Sequence, residues 1–163
     1  LPTERYYEEE GRAELTPRDF GILMHRVFEN AATTDEIYMA IEAMTQDGVL
    51  DEKEAPRLRE LVEKALADPV TAEWFGGRWQ VVRNENEIIL PGSGTTRRPD
   101  RVMTDGERAV VVDYKFGDRE TARHRKQIRE YLRLLRQMGY TRTEGYLWYV
   151  RLGRTERVEE KED

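Results

Sequence analysis

Two acids and a lysine stand on neighbouring predicted strands, within the stretches "RPD" and "DYK". Asp100 ends the first stretch, and Asp113 and Lys115 flank Tyr114 in the second. Carboxylates that converge in a partly buried place need a counter-charge, and a divalent cation supplies one. Such a cation lowers the pKa of a bound water, and a lysine beside it can act on that water or on a phosphate. The residue types therefore permit metal-assisted hydrolysis at this point.

The pairing of the two strands decides whether the acids meet. The Asp-Gly dipeptide at 105–106 lies between two apolar stretches and predicts a two-residue hairpin loop. That loop places Asp100 opposite Val111 and makes Asp113 its diagonal neighbour, with backbones roughly 7–8 Å apart. Lys115 shares the face of Asp113, because side chains alternate along a strand. Three bulky side chains take the opposite face: Val110, Val112 and Tyr114.

A surface salt bridge is the common explanation of an Asp-x-Lys tripeptide, with Asp113 paired to Lys115 or to an arginine. A shift of one residue in the hairpin would also separate the acids. The valine run at 110–112 favours the metal interpretation, because it indicates a partly buried face on which bare carboxylates are costly.

The spacing of apolar residues changes along the chain from a helical pattern to a strand pattern. Apolar residues at helical spacing predict helices within 15–68, with Thr33 and Glu36 at capping-box spacing, and a short helical turn follows at 69–75. Strand patterns and one long helix come after them: strands within 79–90, 98–104, 108–115 and 144–152, and the helix within 121–139. This order predicts an α/β (α+β) fold with an N-terminal helical section and a central mixed sheet, containing a β-meander, flanked by helices.

Composition limits the class of protein and of site. The chain has 163 residues, 38% hydrophobic and 37% charged, which suits one domain with a highly charged surface. We expect that domain at 16–151, a linker or arm at 1–15 and a solvated acidic tail at 152–163. Because the sequence begins with Leu, we interpret it as a fragment of a longer chain. No apolar run approaches the roughly 18 residues of a membrane helix, so we expect no membrane partner.

Cysteine count is zero, which excludes disulfides, thiolate zinc sites and cysteine-ligated iron–sulfur clusters. Any metal must be held by carboxylates, imidazole and carbonyls, which favours magnesium or manganese. The net charge is −6, yet residues 119–136 carry seven basic side chains against Glu120 and Glu130. A basic helix on an acidic domain indicates a local anionic partner.

Five motifs follow one another along the chain. They are Gly21, His25 and Glu29 at four-residue steps; Glu85, with Glu87 as the alternative; Asp100-Arg101; Asp113-Tyr114-Lys115; and Gln127 with Tyr131. In this order they resemble the PD-(D/E)xK nuclease core, and most closely the nuclease domain of RecB- and AddA-type helicase–nucleases. Arg97 departs from the pattern, because the family often has glycine three residues before the first Asp.

The resemblance implies a restriction-endonuclease-like core and a DNA exonuclease that depends on Mg²⁺ or Mn²⁺. His25, Asp100, Asp113 and the backbone carbonyl of Tyr114 would bind the metal, although a lone His on such a helix is more often a semi-buried structural residue. Lys115 would orient the attacking water or stabilise developing charge. Glu85 would complete a second metal position or hold a metal-bound water, so the implied catalytic residues are Asp100, Asp113, Lys115 and Glu85.

The resemblance also implies partners. DNA, single-stranded rather than duplex, would contact Gln127, Tyr131, Arg101, Arg123 and Lys126, although Tyr131 could equally pack in the core. A helicase portion of the same chain and a second helicase–nuclease subunit are further implied partners, in double-strand break repair and recombination in the bacterial cytoplasm. Two alternatives stay open: a catalytically weak or inactive DNA-binding module of a helicase, and an interaction domain whose acids form salt bridges.

Overall fold

The computed structural model describes residues 5–7, 13–15, 17–85, 88, 98–116 and 122–161. These residues form five helices: α1 (Pro17–Phe28), α2 (Thr34–Gln46), α3 (Glu54–Ala65), α4 (Pro69–Trp74) and α5 (Ala122–Gln137). They form seven strands: β1 (Arg5–Tyr7), β2 (Ala13–Leu15), β3 (Val81–Asn84), β4 (Arg101–Asp105), β5 (Arg108–Lys115), β6 (Arg142–Tyr149) and β7 (Arg154–Val158). None of the described helices is long and apolar enough to span a bilayer.

Strands β3 to β7 form one sheet in chain order. Neighbouring strands run antiparallel, except that β5 and β6 are parallel. Parallel neighbours need a crossover connection, and α5 lies in it. The predicted mixed sheet with a β-meander and flanking helices is therefore confirmed.

Two hydrophobic clusters cover the two faces of this sheet. Helices α1 to α4 pack on the face that carries Val110, Val112 and Tyr114. Helix α5 packs on the other face, against Val111 and Leu147. Because the sheet is covered on both faces, β5 can be apolar at almost every position. Its charged residues are then confined to its two ends.

Helix α2 begins with a cap close to the predicted one. The Thr33 hydroxyl oxygen accepts a hydrogen bond from Glu36 N at 3.3 Å. The Glu36 carboxylate accepts from Ala32 N at 3.1 Å, one residue earlier than the reciprocal bond of a capping box. Both bonds satisfy backbone donors where the chain turns from α1 into α2.

The β4–β5 hairpin differs from the predicted register by two residues. Asp105 pairs with Arg108, so the loop is Gly106-Glu107 and not Asp105-Gly106. Gly106 has φ +59°, which suits the first central position of a type II′ loop, whereas an Asp-Gly type I′ loop would put glycine second. A shift of two residues leaves every side chain on its predicted face. Asp100 now precedes the Arg101–Val112 pair and lies across from Asp113, not from Val111.

Both terminal segments contain strands. The sequence predicts an arm over 1–15, but β1 and β2 pair antiparallel within it. It also predicts a solvated tail from residue 152, but β7 pairs with β6 and completes the sheet. The "RTERV" sequence of β7 is rich in charge, and two of its residues, Arg154 and Arg157, are exposed. A strand at a sheet edge tolerates this composition, which sequence patterns assign to loops.

Candidate active site

The two aspartates lie across from each other at the ends of β4 and β5. Asp100 is 5% exposed and Asp113 3%. Asp113 Oδ1 accepts a hydrogen bond from Asp100 N at 3.1 Å. Asp100 Oδ2 accepts from Tyr114 N at 2.7 Å. These two bonds fix the carboxylates against the partner strand and leave Asp100 Oδ1 for another contact.

Helix α1 brings His25 to that oxygen. His25 Nε2 lies 3.4 Å from Asp100 Oδ1, and His25 Nδ1 lies 3.6 Å from Glu29 Oε2, one helical turn later. A carboxylate beside one ring nitrogen orients the other nitrogen towards a metal. Gly21, one turn before His25, lets the helix approach the residue that follows β5, because a Cβ there would lie 3.2 Å from Phe116 Cβ. The Gly-x-x-x-His spacing thus has a packing reason as well as a chemical one.

A third residue, Glu85, joins them from the end of β3. Its Oε2 lies 3.7 Å from His25 Nε2. His25, Glu85 and Asp100 each offer one ligand atom, and these atoms all lie within 4.8 Å of one another. Asp113 is not part of this cluster of three described residues. Its role as a metal ligand stays a prediction.

Some predicted positions cannot be compared with the structure. Glu87, the alternative to Glu85, and Arg97, which departs from the family pattern, lie outside the described residues. Glu85 itself is half-buried and lies next to His25, so the structure brings this glutamate to the cluster together with Asp100. The roles of the cluster in metal binding and catalysis stay predictions.

The acids around His25 raise its pKa. The hydrogen bond to Asp100 is the largest cause, and the charges of Asp100, Glu29 and Glu85 add to it, while burial works in the opposite direction. Without a metal, the cluster therefore keeps the ring protonated to a higher pH than that of an ordinary histidine. A metal would compete with that proton, because only the neutral ring is a ligand.

This shift predicts a pH-dependent stability for the metal-free protein. A raised pKa contributes stability that is fully present below the ordinary histidine pKa of 6.5 and is lost as the pH rises through the raised value. His25→Gln should therefore lower the melting temperature more at about pH 5 than at about pH 9, because the charged ring contributes less as it loses its proton with rising pH. Thermal unfolding in chelator at the two pH values tests this. An equal loss at both would mean that folding does not raise the pKa of His25.

Lys115 lies on β5 two residues after Asp113. Its side chain is 11% exposed, and its Nζ is 3.9 Å from Asp113 Oδ2. This arrangement agrees with the prediction that Lys115 and Asp113 share one face of the sheet. It also agrees with the alternative that the two residues form a salt bridge. Tyr114, between them, turns its ring to the other face, where it packs with Phe28 and Trp148. The structure therefore keeps Lys115 and Asp113 together at the end of a strand whose other face is core.

The prediction that Arg101 contacts DNA is wrong. Arg101 is 0% exposed, and its guanidinium donates to the carbonyls of Ala31, Ala32 and Trp74 at 2.5, 2.8 and 2.7 Å. It also stacks 4.0 Å above the centre of the Phe75 ring. Burial lowers the pKa of this guanidinium. Arg101 links β4 to the segment after α1 and to the end of α4. It therefore stabilises the elements on which the site is built.

Loss of these bonds should be costly. Arg101→Met keeps much of the side-chain volume but leaves three carbonyls without their donors, and we expect a loss of about 3 kcal/mol of unfolding free energy. For a domain of this size that corresponds to roughly 6–12 °C in melting temperature. Arg142→Met, at an exposed arginine of β6, is the matched control and should change little. A variant with wild-type stability would contradict the structural role of Arg101.

The four residues of α5 that are predicted to contact DNA differ in their exposure to solvent. Arg123 and Lys126 are exposed and Gln127 is half-buried. Tyr131 is 6% exposed and packs in the α5 cluster, which supports the core alternative for its ring. The DNA contacts of Arg123, Lys126 and Gln127 stay predictions.

The C-terminal acids neutralise one side of this basic helix. Arg125 Nε donates to Glu156 Oε1 at 2.6 Å, and Arg136 pairs with Glu160. Three other basic side chains of α5 are exposed and form no ion pair with any residue that the structure describes: Arg123, Lys126 and Arg133. Only some of the basic side chains of α5 are thus available to an anionic partner.

The donor set fits a divalent cation. His25 Nε2 stands 3.4 Å from Asp100 Oδ1, farther than the about 2.7–2.9 Å of a strong charge-assisted hydrogen bond. Carboxylate oxygens with one imidazole suit magnesium or manganese, and the described residues offer no thiolate. The cluster of His25, Glu85 and Asp100 could hold such an ion, with Asp113 directly beside Asp100.

Comparison with known proteins agrees with this geometry. The family model described as "PD-(D/E)XK nuclease superfamily" matches residues 3–163. No curated protein matches the chain. The match covers nearly the whole sequence and both strands that carry the acids, and the family typically uses divalent metals. With a five-stranded mixed sheet, helices on both faces and buried acids at the ends of β4 and β5, this chain belongs to the PD-(D/E)XK nuclease superfamily, a family of phosphodiester hydrolases.

Proposed function

We propose that this domain is a Mg²⁺- or Mn²⁺-dependent deoxyribonuclease, an exonuclease that acts preferentially on single-stranded DNA. We further propose that it is the nuclease part of a RecB- or AddA-type helicase–nuclease, which works in double-strand break repair and recombination in the bacterial cytoplasm with a second helicase–nuclease subunit. The observation that carries the proposal is the cluster of His25, Glu85 and Asp100 on elements of the nuclease core.

The chain's own residues supply a charge arrangement for this reaction. Asp100, His25, Asp113 and the carbonyl of Tyr114 would hold the metal, and Glu85 would hold a second ion or a metal-bound water. The metal supplies Lewis acidity, which favours ionisation of a water and neutralises charge on the phosphate. Lys115, beside Asp113, would orient that water or stabilise negative charge on the phosphate oxygens. The apolar strand β5 holds Asp113 and Lys115 in place for this work.

The exposed cations of α5 support a nucleic-acid substrate. Arg123, Lys126 and Arg133 lie on a helix that packs on the same sheet face as Val111 and Val102. Phosphate contacts of such side chains give affinity without sequence preference, as a nuclease that degrades DNA needs. Arg125 and Arg136 pair with acids of the C-terminal segment and would contribute less.

We expect the purified domain to cleave DNA only in the presence of a divalent cation. The reason is that the described site contains carboxylates, a histidine and a lysine, and a phosphodiester is attacked slowly unless its charge is neutralised. The measurement is cleavage of an end-labelled single strand with magnesium, with manganese and with excess chelator, each compared with the same strand in a duplex.

Two results would change the proposal. Robust cleavage in excess chelator would contradict the metal-dependent mechanism. Tight DNA binding without cleavage in either metal, together with no metal binding by calorimetry, would favour the alternative of an inactive DNA-binding module.

A further inference from the structure

A cavity of about 300 Å³ lies between β3, β4 and the C-terminal half of α5. The acidic cluster, which is formed by His25, Glu85 and Asp100, includes the residue that follows β3 and the residue that precedes β4. Arg83 and Val102, which pair across β3 and β4, form one side of it. Arg83 is two residues before Glu85, and Val102 is two residues after Asp100. Two strand residues span roughly 7 Å, which is about the length of one nucleotide along a DNA strand. The cavity therefore begins about one nucleotide away from the residues that would hold the metal.

The lining of the cavity is apolar with a few polar groups. Its remaining described residues are Val81, Ile88, Thr104, Tyr131, Leu135, Met138 and Tyr140. The Tyr131 ring is largely buried, and burial together with the nearby Tyr140 phenol raises its pKa. Aromatic faces beside aliphatic walls and a few hydrogen-bonding groups are the usual lining of a site for a flat, partly polar ligand.

The charge of the lining distinguishes between possible occupants. Arg83 is exposed, forms no ion pair with any residue that the structure describes, and is the one charged residue among the described lining residues. None of those residues is acidic. A cationic mouth on an apolar cavity complements a ligand with an apolar ring and a negative charge attached to it, which is the chemistry of a nucleotide.

We propose that this cavity receives one unpaired nucleobase of a single-stranded DNA, next to the phosphate that lies at the acidic cluster. The inference rests on the proposed function for that phosphate. The base lies against Tyr140 and the walls of the cavity, while Arg83 contacts a flanking phosphate. A base in a duplex is stacked and paired and would have to be extruded at a cost, so the cavity provides a physical basis for single-strand preference.

A binding experiment in excess chelator tests the cavity separately from catalysis. The probe is a single strand of about 12 nucleotides with one 2-aminopurine, placed at each position in turn. We expect wild-type protein to change the emission at one position far more than at the others. Tyr140→Ala should weaken binding by roughly 5- to 100-fold, the range for the loss of one base-stacking contact. Arg83→Gln removes a phosphate contact, so it should weaken binding to every strand alike and reduce the salt dependence of binding. Arg142→Gln, at an exposed arginine of β6, should bind like the wild type.

A second measurement uses abasic strands in manganese. An abasic site at one position close to the cleaved bond should lower kcat/KM by roughly 5- to 100-fold, and Tyr140→Ala should abolish this difference between intact and abasic strands. A merely structural role of Tyr140 would lower both rates and leave their ratio unchanged, which would overturn the proposal.

The two proposals fail in different ways. A position-specific emission change that Tyr140→Ala removes, without cleavage in any metal, would keep the base cavity and overturn the nuclease function. Metal-dependent cleavage that is indifferent to abasic sites, with wild-type binding by both cavity variants, would keep the nuclease and overturn the base cavity, leaving an apolar protein segment as its occupant.

Discussion

Replacing Asp100 with asparagine is expected to lower metal-dependent DNA cleavage by more than about 10²-fold. Asp100 Oδ1 lies 3.4 Å from His25 Nε2, and its Oδ2 accepts from Tyr114 N at 2.7 Å. Asparagine keeps one oxygen that can accept the Tyr114 bond, but it lacks the charge that binds a hard cation. The fold should therefore survive while metal affinity falls. Single-turnover cleavage of a labelled strand, beside a manganese titration by calorimetry, measures both effects.

A matched control lies on the same strand. Asp105 is exposed at the other end of β4, so Asp105→Asn makes the same chemical change far from the cluster and should leave cleavage unchanged. The melting temperature of Asp100→Asn shows whether the site or the whole fold has changed. Wild-type cleavage and wild-type manganese affinity in a folded Asp100→Asn protein would remove Asp100 from the metal site.

The sheet could be predicted because its signals are local. Valines at 110–112, an apolar face on each helix and a glycine-containing turn specify strands and helices without knowledge of distant contacts. The hairpin register could not be fixed to better than two residues, because glycine at 106 suits either central position of a two-residue loop. Strand β7 could not be predicted, because its charged residues become compatible with a sheet only where the strand pairs with β6 and Glu156 meets Arg125 of α5.

The site could be predicted in part, for a related reason. Residue types and strand alternation place Asp113 and Lys115 together, but no local pattern shows that His25 and Glu85 reach Asp100 from two other elements. The burial of Arg101 did have a signal. Arg101 alternates with Asp100 and Val102, so it belongs to the face that carries Val112, and that face is core. The position of Arg101 beside a catalytic motif favours a functional role, whereas the alternation of side chains along β4 favours a buried, structural role.

Lys115→Met should lower cleavage by about 10²-fold or more, in the range for loss of an electrostatic or acid–base group. The lysine is 11% exposed, and its Nζ lies 3.9 Å from Asp113 Oδ2, so it is a neighbour of the proposed metal and not a ligand. Methionine retains the apolar stem that packs in the site. Metal affinity should therefore stay near normal, or improve slightly because a positive charge is removed. This separation of metal binding from cleavage distinguishes Lys115 from the acids.

Two further variants test whether cleavage and metal binding separate in this way. Lys64→Met removes an exposed lysine of α3, which lies 3.5 Å from Glu60, and should leave cleavage and metal binding unchanged. Lys115→Arg keeps the charge but replaces a compact ammonium with a planar fork, so it should restore little activity. Calorimetric metal titration and single-turnover cleavage are measured for each variant. An active Lys115→Met enzyme would support the simple salt bridge with Asp113, whereas joint loss of metal binding and cleavage would mean that the lysine maintains the shape of the site rather than acting on the water or the phosphate.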